Sequence, residues 1–150
     1  MPQSLTNVLL HIVFSTKYRA PLLYPEVRPA LFAYLSAVAR STGCECYRAG
    51  GVANHVHLAV RLSRTITIAN LVQELKSSSS RWLKTQSPRL CRFRWQTGYS
   101  AFSVRASGLN TLVRYIDNQE VHHRKRSFER EHITTLRQEG IEYDERYVWD

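Results

Sequence analysis

The sequence is poor in several residue types on which whole classes of protein depend. Three cysteines, one methionine and six glycines occur in 150 residues. Cys44, Cys46 and Cys91 lack the C-x-x-C spacing of zinc and redox sites, so we interpret all three as reduced structural thiols. No apolar run reaches the roughly 20 residues that span a bilayer, and the first residues do not resemble the leader of a signal peptide. We therefore expect a soluble, cytoplasmic protein.

The length and overall composition are those of an ordinary globular chain. Hydrophobic residues make up 43% and charged residues 22% of the sequence. A chain of 150 residues is long enough to bury a substantial core, yet short for two domains. We expect residues 1–150 to form a single domain.

Acidic residues are nearly missing from one long stretch of the chain. Residues 61–126 contain 13 Lys and Arg but only three acidic residues, whereas the remainder carries 8 basic and 9 acidic ones. The net charge of +9 therefore arises from this stretch. A concentrated positive field attracts polyanions through steering and counterion release. The segregation favours a nucleic-acid partner over a merely soluble basic surface.

Hydrophobic periodicity predicts strands and helices in alternation. Strands are predicted at 8–15, 44–49, 52–62 and, bent at Gly98, 92–105, and helices at 26–41, 67–84, 109–123 and about 128–138. Gly50 and Gly51 are predicted to form the turn between the second and third strands. Because hairpin-linked strands alternate with helices, we expect an α+β fold with a central antiparallel sheet.

The third predicted strand carries a pair of histidines. Strand side chains alternate between faces, so His55 and His57 share one face, while Val56, Leu58 and neighbouring apolar residues face the core. Two imidazoles about 6.5 Å apart on one strand can converge on one metal ion. The alternative is a pair of solvent-facing histidines on a half-exposed strand.

The third predicted helix presents a second polar group. Tyr115 and Gln119 are four residues apart and therefore lie on one face, beside the apolar stripe that meets the sheet. His122 follows along the same edge. Tyr115 could instead be a half-buried aromatic whose hydroxyl finds a local partner.

Together these residues form a chemically coherent set for nucleophilic cleavage of a phosphodiester. His55, His57 and the Gln119 oxygen would provide three metal ligands, and an amide oxygen suits Mg²⁺ or Mn²⁺. The ion would polarise the phosphate, and Tyr115 would attack it as a covalent nucleophile. The resulting phosphotyrosine would keep the energy of the broken bond, so rejoining would need no ATP.

Four motifs resemble those of the single-tyrosine HUH transposases of the insertion-sequence 200/605 type, in that family's order and spacing. They are Gly51-Val-Ala-Asn54, His55-Val-His57, Trp95-Gln-Thr-Gly-Tyr99 and Tyr115-Ile-Asp-Asn-Gln119. The resemblance runs from the first strand through the third helix. It implies an enzyme that excises and inserts a mobile element as single-stranded DNA whose ends are marked by hairpins. Asn54 stands where an Asp is frequent in the family.

The resemblance also implies roles for individual residues. His55 and His57 match the metal-binding histidines, Gln119 the third ligand, and Tyr115 the nucleophile that becomes a 5′-phosphotyrosine while a 3′-OH leaves. It implies a homodimer with composite active sites, and an RRM-like or ferredoxin-like sheet with helices mainly on one face. Two alternatives stay open: a domesticated, non-catalytic regulator that binds hairpin DNA or RNA, and another HUH nuclease of the replication-initiator or relaxase type.

Overall fold

The alternating strand pattern produces one antiparallel sheet. The structure is a computed structural model, and it describes residues 2–150 apart from the side chain of Lys125. The strands are β1 (Leu9–Ser15), β2 (Glu45–Gly51), β3 (His55–Arg61) and β4 (Ser100–Val104). Within the described residues they form a four-stranded sheet in the order β2-β3-β1-β4, with every neighbouring pair antiparallel. β3, which carries the histidines, and β1 are therefore the central strands.

One face of the sheet carries the main hydrophobic core. Helices α1 (Arg28–Ser41) and α2 (Ile68–Gln86) pack there against fully buried residues of β1 and β3, such as Ile12 and Leu58. The Thr67 hydroxyl caps α2 by accepting a hydrogen bond from the backbone amide of Asn70 at 3.1 Å. The apolar residues that point into this core recur at every second position in the strands and about every 3.6 positions in the helices.

The opposite face is covered by three shorter helices. They are α3 (Leu109–Asp117), α4 (Gln119–Lys125) and α5 (Phe128–Gln138). A second, smaller cluster forms there, in which Val13 and Phe102 of the sheet pack against Phe128 and Leu136 of α5. The predicted α+β class with a central antiparallel sheet is confirmed, with the two longest helices sharing one face. Among the residues described, no helix combines the length and the apolar character needed to cross a bilayer.

Two predicted elements differ from those observed. The helix predicted at 109–123 is interrupted at Asn118, whose backbone (φ −98°, ψ 18°) leaves the α-helical region. The strand predicted at 92–105 is reduced to β4, and its earlier part pairs with the sheet through a single bridge from Trp95 to Thr16.

The predicted Gly50-Gly51 turn is also wrong, because both glycines belong to β2 and the chain reverses after them. A Cβ on Gly50 would lie 2.6 Å from Ile116 Cγ2. Gly50 therefore lets α3 approach the sheet closely. Tyr115 precedes Ile116 in α3, so this close approach also sets the position of Tyr115.

Candidate active site

The histidines of β3 lie on the face covered by α3, α4 and α5. Their side chains alternate with Val56 and Leu58, which point into the main core. His55 is 0% and His57 2% exposed, so the alternative of a half-exposed strand with solvent-facing histidines is wrong. Phe128 of α5 stacks on the His55 ring, with centroids 3.9 Å apart and planes 15° from parallel.

Tyr115 lies next to the second histidine of the pair. Its ring meets the His57 ring edge-on with centroids 5.6 Å apart, and it is 6.0 Å from the ring of His11 on β1. Tyr115, His11, His122 and Glu131 line a cleft of about 400 Å³ between α3 and α5. The tyrosine is thus half-buried, adjacent to the histidines and open to a cleft. The T-shaped contact of Tyr115 with His122, at 5.6 Å, agrees with the predicted shared edge.

Gln119 reaches the histidines from the first position of α4. Its Oε1 lies 3.2 Å from His55 Nε2, and its Nε2 donates to the backbone carbonyl of Tyr115 at 3.3 Å. The helix break at Asn118 therefore does not separate the two residues that the helical spacing paired. The structure brings Tyr115, His55, His57 and Gln119 together within one chain.

The ring nitrogens of His57 have unequal surroundings. Nδ1 is 2.7 Å from Nε2 of His11, whereas Nε2 is fully buried and has no hydrogen-bond partner. A buried, unpartnered polar atom is costly unless a bound group satisfies it. A free imidazole lone pair beside other donor atoms is what a bound cation requires, so the residues present fit a metal site.

Burial keeps these histidines neutral. Loss of solvation lowers the pKa of His55 to about 3 and that of His11 to about 4, and holds the pKa of His57 well below its ordinary value. Loss of solvation also raises the pKa of Glu131, on the wall of the cleft, to about 7. Neutral imidazole is the form that binds a metal, so His55 and His57 stay in that form throughout the physiological range.

Sequence reasoning missed several residues around this cluster. Among the residues that the structure describes, His55, His57 and His123 form a group whose ring nitrogens lie within 4.8 Å of one another. His123 was predicted only as the last residue of the helix at 109–123, and it lies in α4, four residues after Gln119. That i, i+4 spacing was the available indication. No sequence pattern indicated the contacts of His11, Phe128 or Glu131, because they depend on how distant elements pack.

Several residues of the basic stretch 61–126 line a second cleft. A cleft of about 470 Å³ between α2 and the segment before β4 is lined by the basic residues Lys84 and Arg94 and by Trp95 and Tyr99, among others. Lys76, at the same cleft, donates to the backbone carbonyls of Gln96 and Gly98. Cations beside aromatic rings are the side chains with which proteins hold single-stranded nucleic acid.

Comparison with known proteins agrees with the geometry. A curated relative, the ISDra2 transposase TnpA of Deinococcus radiodurans, is 26% identical over 114 residues, which cover 73% of this chain and 81% of the relative. The crystal structure of a putative transposase from the same organism has a TM-score of 0.61 at 24% identity, over 79% of this chain and 98% of that one. A REP-associated tyrosine transposase bound to a REP hairpin has a TM-score of 0.59 at 16% identity, over 82% and 72%.

The two solved structures share the fold of this chain. The sequence profile of the family described as "Transposase IS200 like" matches residues 4–119, which include both histidines of β3, Tyr115 and Gln119. The matched residues make up well over half of the sequence, which establishes the family. The chain belongs to the IS200-like transposase family.

Proposed function

We propose that the chain cleaves and rejoins single-stranded DNA at hairpin-marked ends of a mobile element, through a 5′-phosphotyrosine on Tyr115. The observation that supports this most directly is the position of Tyr115, edge-on to His57 at 5.6 Å and open to a cleft. A phenol that only filled space would have no need of neutral, buried imidazoles beside it. We propose that residues 1–150 act as one nuclease domain in the cytoplasm, where the free cysteines stay reduced.

In the cleavage step, the Tyr115 oxygen forms a bond to phosphorus and the bond between phosphorus and the 3′ oxygen breaks. The phenol loses its proton to water in the cleft, and the departing 3′ oxygen takes one up as it becomes a hydroxyl. Attack by a different 3′-OH on the phosphotyrosine reverses these changes and joins two strands. The number of phosphodiester bonds is conserved, so no nucleotide cofactor is consumed.

His55, His57 and Gln119 would hold a divalent ion, Mg²⁺ or Mn²⁺, beside Tyr115. When bound, such an ion supplies Lewis-acid polarisation of the phosphate. The chain's own contribution is positional: Phe128 fixes the plane of the His55 ring, and the Tyr115 carbonyl fixes the Gln119 amide. These contacts present the donor atoms without further rearrangement.

We also propose a homodimer, as the resemblance implies. Within a single chain Tyr115 already lies beside His57. Composite active sites would therefore require α3 to be exchanged between subunits, so that each tyrosine serves the partner's histidines.

The decisive experiment is capture of the covalent adduct. Single-stranded oligonucleotides carrying the palindromes that flank the gene are incubated with the protein and Mn²⁺, and denaturing gels reveal protein–DNA conjugates. Tyr115→Phe should form no adduct while binding the same oligonucleotide. Tyr18→Phe is a matched control, because Tyr18 is 81% exposed, and it should form the adduct normally.

Loss of the ion tests the second element of the proposal. EDTA or His57→Ala should abolish cleavage while leaving binding of the oligonucleotide nearly intact. A 5′ adduct that still forms in Tyr115→Phe would refute the nucleophile. Wild-type protein that binds hairpins without any cleavage would instead support a non-catalytic regulator.

A further inference from the structure

His123 lies closer to Gln119 than His55 does. Its Nε2 is 2.8 Å from Gln119 Oε1, and His55 Nε2 is 3.2 Å from the same oxygen. Neighbouring ligands around an octahedral ion with bonds of about 2.1 Å lie roughly 3.0 Å apart. The two separations are therefore those of adjacent ligands on one ion.

The outward-facing nitrogens determine where the lone pairs point. His123 Nδ1 is 2.9 Å from the backbone carbonyl of Arg126, which can only accept, so Nδ1 carries the hydrogen. His55 Nδ1 is 2.7 Å from Asn54 Oδ1, and with the Asn54 amide in this orientation the oxygen accepts from Nδ1. A neutral imidazole has one N–H, so with both rings neutral the Nε2 atoms present bare lone pairs to Gln119 Oε1.

Turning the Gln119 amide over would not resolve this crowding. Its Nε2 donates to the Tyr115 carbonyl at 3.3 Å, and a turned amide would place two oxygens against each other there. Three electron-pair donors therefore converge from His55, His123 and Gln119, next to the unpartnered Nε2 of His57. Such an arrangement is repulsive unless a cation lies among the atoms.

We propose that His123 is a fourth protein ligand of the active-site ion, so that three imidazoles and one amide oxygen hold it. This inference rests on the proposed function, because it concerns the same ion. It extends the ligand set to a residue outside the region that the family profile matches, which ends at 119.

A site with three imidazoles has consequences for the choice of ion. Mg²⁺ strongly prefers oxygen ligands, whereas Mn²⁺ and later divalent metals accept imidazole. The His123-containing set therefore selects Mn²⁺ over Mg²⁺. Glu131 borders the same site: its Oε2 lies 2.8 Å from His123 Nε2, and this buried oxygen has no aligned hydrogen-bond partner.

The test measures metal binding directly, without DNA or turnover. Protein stripped with EDTA is titrated with Mn²⁺ and with Mg²⁺ by calorimetry, as wild type, His123→Asn and His122→Asn. His122 is the matched control, because it is the adjacent imidazole on α4 and lies outside the histidine group. Pulsed electron paramagnetic resonance of the Mn²⁺ complex then counts the bound imidazole nitrogens.

Wild type and His122→Asn should bind Mn²⁺ at least about tenfold more tightly than Mg²⁺ and show three nitrogens. His123→Asn should lose at least about tenfold in Mn²⁺ affinity and show two. Two nitrogens in the wild-type complex would overturn the inference even if the variant does not fold, and would leave the three-ligand site intact. No Mn²⁺ binding by the wild type would overturn both the inference and the metal role in the proposed function.

Discussion

His11 on β1 and His57 on β3 are joined across the centre of the sheet by a 2.7 Å contact between His11 Nε2 and His57 Nδ1. Their rings are nearly parallel, with planes 22° apart and centroids separated by 5.0 Å. When His57 Nδ1 donates to His11, the Nε2 of His57 is left with a lone pair. Under the proposed function, His11 would thereby select the tautomer of His57 that can bind a metal.

Replacement of His11 should therefore slow cleavage without preventing DNA binding. We expect His11→Ala to reduce the single-turnover cleavage rate by about 10–100-fold, since it removes the acceptor that orients His57. His11→Gln keeps an acceptor and should recover part of the rate. Equal rates in all three proteins would show that His57 needs no such partner.

Gly50 should be intolerant of any side chain. The Cβ of Gly50→Ala would lie 2.6 Å from Ile116 Cγ2 and 3.1 Å from the Ile116 carbonyl oxygen, so α3 would have to move. We expect a loss of about 1–3 kcal/mol in the free energy of unfolding, measured by urea denaturation, together with slower cleavage. Gly108→Ala is the control, because its Cβ would meet Val104 at an ordinary 3.9 Å. Equal stability of the two variants would contradict the close packing of α3.

The metal-free protein should lose stability as the pH falls below about 6.5. Burial lowers the pKa values of His11 to about 4 and His55 to about 3, and that of His57 also lies well below the unfolded value of 6.5. The unfolded chain therefore binds protons that the native chain does not. Each imidazole should remove up to about 1.4 kcal/mol of stability per pH unit between its unfolded and folded pKa values.

Glu131 acts in the opposite direction over part of this range. Its pKa is raised from 4.5 to about 7, so its contribution to stability is lost as the pH rises through that interval. The single carboxyl of Glu131 offsets the loss of stability that only one of the three imidazoles causes. Urea midpoints in EDTA should thus fall from pH 6.5 to pH 5, and fall more steeply in Glu131→Gln. A flat profile would mean that the histidines become protonated without unfolding.

The proposed homodimer can be tested together with the location of its active sites. Light scattering should give a mass of twice 17.4 kDa. Tyr115→Phe and His57→Ala are each expected to be inactive. Mixed dimers of the two should recover activity if α3 is exchanged, because one composite site then contains both native residues. Mixed dimers without activity would assign each site to a single chain, and a mass of 17.4 kDa would exclude the dimer.

The strand and helix periods predicted much of this site because they are local properties. Alternation along β3 was sufficient to separate His55 and His57 from the core, and the i, i+4 spacing paired Tyr115 with Gln119. That pairing survived the break at Asn118 because the Gln119 side chain reaches back to the Tyr115 carbonyl. The burial of the histidines could not be predicted in this way, since it depends on helices that lie far along the chain.

The contact between Phe128 and His55 joins a residue outside the family profile to a residue inside it. The family profile matches residues 4–119. The aromatic ring that covers His55 lies beyond that match, as does the imidazole that faces Gln119. A graft of residues 4–119 alone into another scaffold would carry Tyr115 and leave the histidines of β3 uncovered. The segment that defines the family by sequence is therefore shorter than the segment that encloses this cluster.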